Sequence, residues 1–174
     1  LKTSMFCYSY IDEMYVTGGT TKCGGDSVKW FLENFYQEYK QNDAAAIEQI
    51  TLEAESVPKG ANGVMFFPYL LGMGTPKSKK EAQGSFINLG RHHSRADLAR
   101  ALLEGVAYSI RDIAGTFTEL NLNWDDLRFT GGGSNNRLWR QIMADVLGKP
   151  LLGVQTDSLL GAAIVTAVAG GLFP

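Results

Sequence analysis

Apolar residues recur along this chain at two different periods, and the switches between them mark out short strands and longer helices. Alternating pieces at residues 5–10 and 13–16 predict the two strands of a hairpin meeting near Asp12. Gly18-Gly19 ends that region. Gly24-Gly25-Asp26-Ser27 then opens a helix whose Val28, Trp30, Phe31, Phe35 and Tyr36 make one apolar stripe. A second helix is expected over 43–55, a buried strand at 64–67 stopped by Pro68, and another strand at 85–89. The clearest element is a long helix beginning after Ser94. Ser94 can cap it with Asp97 three residues on, and Leu98, Leu102, Val106, Ile113, Phe117 and Leu120 repeat at helical spacing. Further on, 127–130 reads as a strand, 131–133 as a turn, and 135–147 as a helix carrying Leu138, Ile142 and Val146 and ended by Gly148. A strand at 151–154 precedes the last helix. Strands that lead into helices, after an opening hairpin, predict an α/β layered domain with a mixed sheet flanked by helices.

Composition changes little in this picture. With 174 residues, 45% of them hydrophobic, the chain can bury a core of its own without disulfides or a structural metal. Its net charge of -2, with both signs interspersed, provides no basic stripe for nucleic acid. Residues 159–173 are uncharged and largely apolar but shorter than a bilayer crossing, so they are expected to form a buried helix, and no membrane association is expected. Cys7 and Cys23 have neither metal-ligand nor disulfide spacing, which fits a reducing cytoplasm. Residues 1–10 lack the charged start, apolar core and cleavage site of a signal peptide, so no export address is expected from them. A start at Leu1 without Met looks like a cut from a longer polypeptide.

Three glycine clusters are the candidate chemistry. Gly131-Gly132-Gly133, between a strand and a helix, would let backbone approach an anionic ligand at a helix N-terminus. The plainer alternative is a tight turn capped by Ser134 or Asn135. Gly24-Gly25 opens another helix, and two such helix starts could clamp one nucleotide between them. Gly161, in the last helix, reads as close packing on small residues. The titratable residues make no catalytic set. His92 and His93 read as a solvated loop pair, Glu104 and Asp112 lie too far apart for a paired acid and base, and no metal-ligand cluster is evident.

The order of these pieces resembles the C-terminal domain of the FGGY family of carbohydrate kinases, nearest to its xylulokinase-like members. The resemblance rests on the segments 24–30, 67–70 with 74–76, 95–107, 130–136 with 138–141, and 160–163. It implies an actin-like, ribonuclease-H-like ATPase domain, spanning 1–174, that holds ATP while a preceding domain holds the sugar. By the same resemblance Gly132 and Asn136 contact the nucleotide, Gly131 and Gly133 shape the loop, and Gly25 and Lys29 line the opposite side. ATP and Mg²⁺ are the implied cofactors. The catalytic Asp and the loop gripping the terminal phosphates lie upstream of Leu1 on this reading, so no catalytic residue is expected here and the isolated chain is expected to be inactive. A ketopentose such as xylulose is the implied substrate. The segment 77–84 departs from the family's acidic and arginine pattern and leaves a hexulose, a sugar alcohol or a sugar acid open. A non-catalytic nucleotide-binding or regulatory module is the alternative reading. An exposed apolar face is expected where the first domain packs, and through it a homodimer could form.

Overall fold

A computed structural model describes residues 5–10, 13–154 and 158–172. Strands β1 (Phe6–Ser9) and β2 (Tyr15–Gly18) form the expected antiparallel hairpin, with Phe6 opposite Gly18 and Ser9 opposite Tyr15. The expected turn at Asp12 lies outside the described residues. Helix α1 (Gly25–Phe35) starts on the glycine pair, and a 3-10 turn at Gln37–Tyr39 leads to α2 (Asp43–Glu55). Asn42 caps α2, its side-chain oxygen accepting from the Ala45 N–H at 3.1 Å. Strands β3 (Met65–Phe67) and β4 (Ser85–Ile87) pair antiparallel.

Helix α3 (Arg95–Glu119) is the longest element, at 25 residues. The Asp97 carboxylate closes its N-terminus, accepting from the Ser94 N–H at 2.7 Å and from its hydroxyl at 2.8 Å. Burial alone would raise the Asp97 carboxyl. The hydrogen bonds from Ser94 and Asn62 more than offset that and hold it below its ordinary range. Strand β5 (Arg128–Phe129) pairs parallel with β6 (Leu152–Gly153), and between them runs α4 (Arg137–Leu147), terminated by Gly148 in the left-handed region at φ 67°. Helix α5 (Ser158–Ala169) follows.

The core is built around α3, which packs on α2, β3, α4 and α1. Its Ala99, Leu102, Leu103, Val106 and Ala107 are buried with Phe31, Tyr36, Ile50, Phe66, Ile142 and Met143. Gly105 is what lets α3 lie directly on β3: a Cβ there would stand 2.2 Å from the Phe66 carbonyl oxygen. One charged pair enters this core. Arg100 donates to Glu104 at 2.6 Å, and Glu104 also accepts from the Gly60 N–H at 3.1 Å, so neither buried charge is left unpaired.

Two features differ from the sequence-based picture. Both parallel and antiparallel pairings occur, but among the described residues the strands pair two by two instead of joining into one sheet. The apolar last helix, expected to be buried, is largely exposed: Leu159 is 79% and Ile164 51% accessible. Apolar composition alone predicted burial, yet most described residues of α5 are exposed in this chain.

Candidate nucleotide cleft

The triple-glycine segment follows β5 directly, and its three glycines have three different reasons to be glycine. Gly131 sits at φ 84°, ψ -176°, a region open to glycine and closed to other residues. Gly133 packs under an indole, since a Cβ would stand 2.8 Å from the Trp139 ring. Gly132 has neither constraint. Its φ is not positive, and a Cβ would meet nothing within 4 Å.

A 3-10 turn occupies Gly132–Asn135, tied down by Ser134, which donates its hydroxyl to the Gly131 carbonyl at 2.7 Å. That turn uses up the residues expected to cap α4, and the cap passes to Asn136 instead of Ser134 or Asn135. The Asn136 side-chain oxygen accepts from the Trp139 N–H at 3.0 Å. Its amide nitrogen donates across to the Thr51 hydroxyl of α2 at 2.6 Å.

Facing this turn, α1 begins at Gly25 with Gly24 at its N-cap, so no side chain caps its first N–H groups. A Cβ on Gly25 would also meet nothing within 4 Å. Lys29 lies one turn further on. It is 76% exposed and 4.0 Å from Glu33, a surface pair too weak to fix it.

Between these two helix starts lies a cleft of about 690 Å³. Gly25, Lys29, Gly132, Gly133 and Asn136 all line it, so five of the six residues singled out from the sequence stand around one space; Gly131 does not line it. Val28, Leu32, Tyr36, Ala46, Ile47, Ile50, Leu103 and Trp139 give it apolar walls, and Glu33, Gln37, Lys40 and Asp43 give it a polar rim. The buried Trp139 indole N–H has no hydrogen-bond partner.

A charged cluster that sequence reasoning missed braces the far wall. Arg95, at the start of α3, donates to the last carbonyl of α1 at Phe35 (2.9 Å), to Glu38 (2.6 Å) and to Glu53 of α2, and lies 4.0 Å over the Tyr36 ring. The Tyr36 hydroxyl donates to Glu53 at 2.8 Å. Burial alone would raise the Glu53 carboxyl, but the bonds from Arg95, Gln49 and Tyr36 outweigh it and hold the group at about 2. Burial and the Glu53 carboxylate together push the Tyr36 phenol well above its usual value, so it stays a proton donor. Spacing gives no hint of this cluster, because Phe35, Glu38, Glu53 and Arg95 meet only in three dimensions.

The remaining sequence candidates lie elsewhere. His93 is half-buried, not solvated: it accepts from the Gly90 N–H at 2.8 Å and meets the Asn62 carbonyl at 3.2 Å, with His92 exposed beside it. Glu104 is committed to the core. Among the described residues no group of three or more His, Cys, Asp or Glu could hold a metal ion, and no helix is long and apolar enough to cross a membrane.

Comparison with known proteins places the chain. The profile of the FGGY family of carbohydrate kinases, C-terminal domain, matches residues 2–170. A xylulose kinase from Staphylococcus epidermidis is 32% identical over 165 residues, which cover 94% of this chain and 32% of the relative. A gluconokinase from Bacillus licheniformis is 31% identical over 98% of this chain and 34% of its own length. The crystal structure of xylulose kinase from Rhodospirillum rubrum superposes with a TM-score of 0.79 at 30% identity, over 96% of this chain and 33% of that one. The architecture is thus the actin-like fold of these kinases, and the chain spans about a third of the length of the relatives it matches.

Proposed function

The chain belongs to the FGGY family of carbohydrate kinases, as a C-terminal domain, and from that premise we propose that it is the ATP-binding part of a kinase whose whole polypeptide transfers the terminal phosphate of ATP to a sugar hydroxyl. The observation that carries the reading is the pair Gly25 and Gly132. One stands on each wall of the cleft, and neither internal packing nor a left-handed backbone requires a glycine at either place. The empty space beside each is what a ligand pressed against backbone would need.

On this reading the adenosine lies between the triple-glycine turn and α1–α2, with its rings against the apolar side chains of Ile47 and Ile50 on one wall and Trp139 on the other. The uncapped N–H groups at the start of α1 and the loosely held Lys29 face its phosphates. This chain's part in the reaction is then to bind and orient. The proton acceptor for the sugar hydroxyl and the grip on the terminal phosphates belong to the rest of the polypeptide. On this reading Mg²⁺ enters as the ion carried on the nucleotide's phosphates.

A ketopentose such as xylulose is the sugar we propose, with the cytoplasm as the setting. The first relatives include xylulose kinases and gluconokinases, so the panel that tests this contains xylulose, gluconate and glycerol. Sugar-dependent ADP release by the complete polypeptide, fastest with xylulose, is the expected result. Preference for another member of the panel overturns the sugar, and ADP release with none of them, nor with a hexulose, overturns the kinase reading in favour of a non-catalytic module.

A further inference from the structure

We propose that Thr51 is a positioning residue for the nucleotide: it fixes the side-chain amide of Asn136 from across the cleft and so sets the distance between the two walls. The inference rests on the reading of the cleft as a nucleotide site. Thr51 lies on α2, one residue beyond the cleft-lining Ile50, and donates its hydroxyl hydrogen to the carbonyl of Ile47, which also lines the cleft, at 2.6 Å. That donation leaves the Thr51 oxygen able only to accept. It does accept, from the Asn136 amide nitrogen at 2.6 Å, across 85 residues of sequence.

The other end of the same amide is fixed as well, because its oxygen accepts from the Trp139 N–H at 3.0 Å. The three bonds form a directed chain from the Ile47 carbonyl through Thr51 and Asn136 to the first turn of α4. The chain allows only one orientation of the amide: with nitrogen and oxygen exchanged, both contacts would fail. An asparagine amide offers two N–H donors and two acceptor lone pairs, so one of each remains for a ligand, in a direction that Thr51 determines. Asn136 stands on one wall and α2 supplies the other, so their bond also joins the walls directly.

The test is calorimetric titration of the chain with Mg-ADP for the wild type, Thr51→Val and Thr51→Ser, with Tm recorded for each. Valine keeps the shape and removes the acceptor, while serine keeps the acceptor. The expected result is that Thr51→Val weakens binding about three- to tenfold, the size of one lost hydrogen bond, and Thr51→Ser stays within about twofold of wild type. A merely structural role would lower Tm in the valine variant and leave its Kd where it was. Unchanged binding by Thr51→Val, with the wild type binding normally, overturns this inference alone. Absence of wild-type binding overturns the nucleotide reading together with it.

Discussion

Asn136 cannot serve a ligand without also serving the helix behind it, because the side chain that lines the cleft is the cap of α4. Replacing it with alanine removes that cap, at a cost of about 1 kcal/mol, and leaves the Thr51 hydroxyl without its donor. Asn136→Ala should therefore lower Tm as well as nucleotide affinity. Asn136→Asp, which keeps an acceptor for the Trp139 N–H, should recover most of the Tm without recovering the affinity; thermal melts beside ADP titrations check this. Gly132 offers the cleaner probe, since a methyl group there meets nothing in the protein. The glycine and asparagine positions were legible in the sequence because their chemistry is local. Thr51 was not: an unremarkable residue in a helical stretch gains its role only when α2 brings it to Asn136 at the start of α4.

At the scale of elements, α3 depends on two unlike supports. Gly105 brings it onto β3, so Gly105→Ala drives a methyl into the Phe66 carbonyl and should destabilise the fold by about 1–3 kcal/mol in denaturant unfolding, as overpacking in a tight core does. Arg95 ties its start to α1 and α2, and this tie has a pH signature. Glu53 sits at about 2 in the folded chain, below its ordinary 4.5. A depressed carboxyl contributes stability above its unfolded value, and that contribution is lost as pH falls from near 4.5 through about 2. Unfolding free energy should therefore decline across that window, and Glu53→Gln should flatten the decline; an equally steep slope in the variant would show that other carboxylates cause it. The boundaries of α2 and α3 could be read from periodicity and capping residues, and so could the existence of the opening hairpin, although its second strand runs two residues later than expected. The start of α4 could not, because a 3-10 turn displaced it by a residue or two, and no apolar pattern encodes such a turn.

For the whole molecule, the exposed apolar residues matter most. Leu159 and Leu172 are 79% and 77% accessible, and Tyr8 and Tyr15 on the hairpin are also exposed. Sequence predicted that α5 would be a helix but not that it would be uncovered, since composition cannot say whether the covering surface lies within the chain. The chain spans about a third of its relatives, and in the proposed account the remainder covers these residues and brings the proton acceptor. The chain by itself should accordingly show no sugar-dependent ADP release from ATP in a coupled assay, and turnover by it would mean that the catalytic group lies within these residues.

The central claim is that the cleft between Gly25 and Gly132 holds a nucleotide, and the most direct measurement is a calorimetric titration of the chain with Mg-ADP, repeated on Gly132→Ala. The account predicts saturable binding by the wild type and binding at least about tenfold weaker in the variant, at an unchanged Tm, because the added methyl group meets only the ligand. Equal affinity in the two proteins, or no wild-type binding at millimolar ADP, would contradict it.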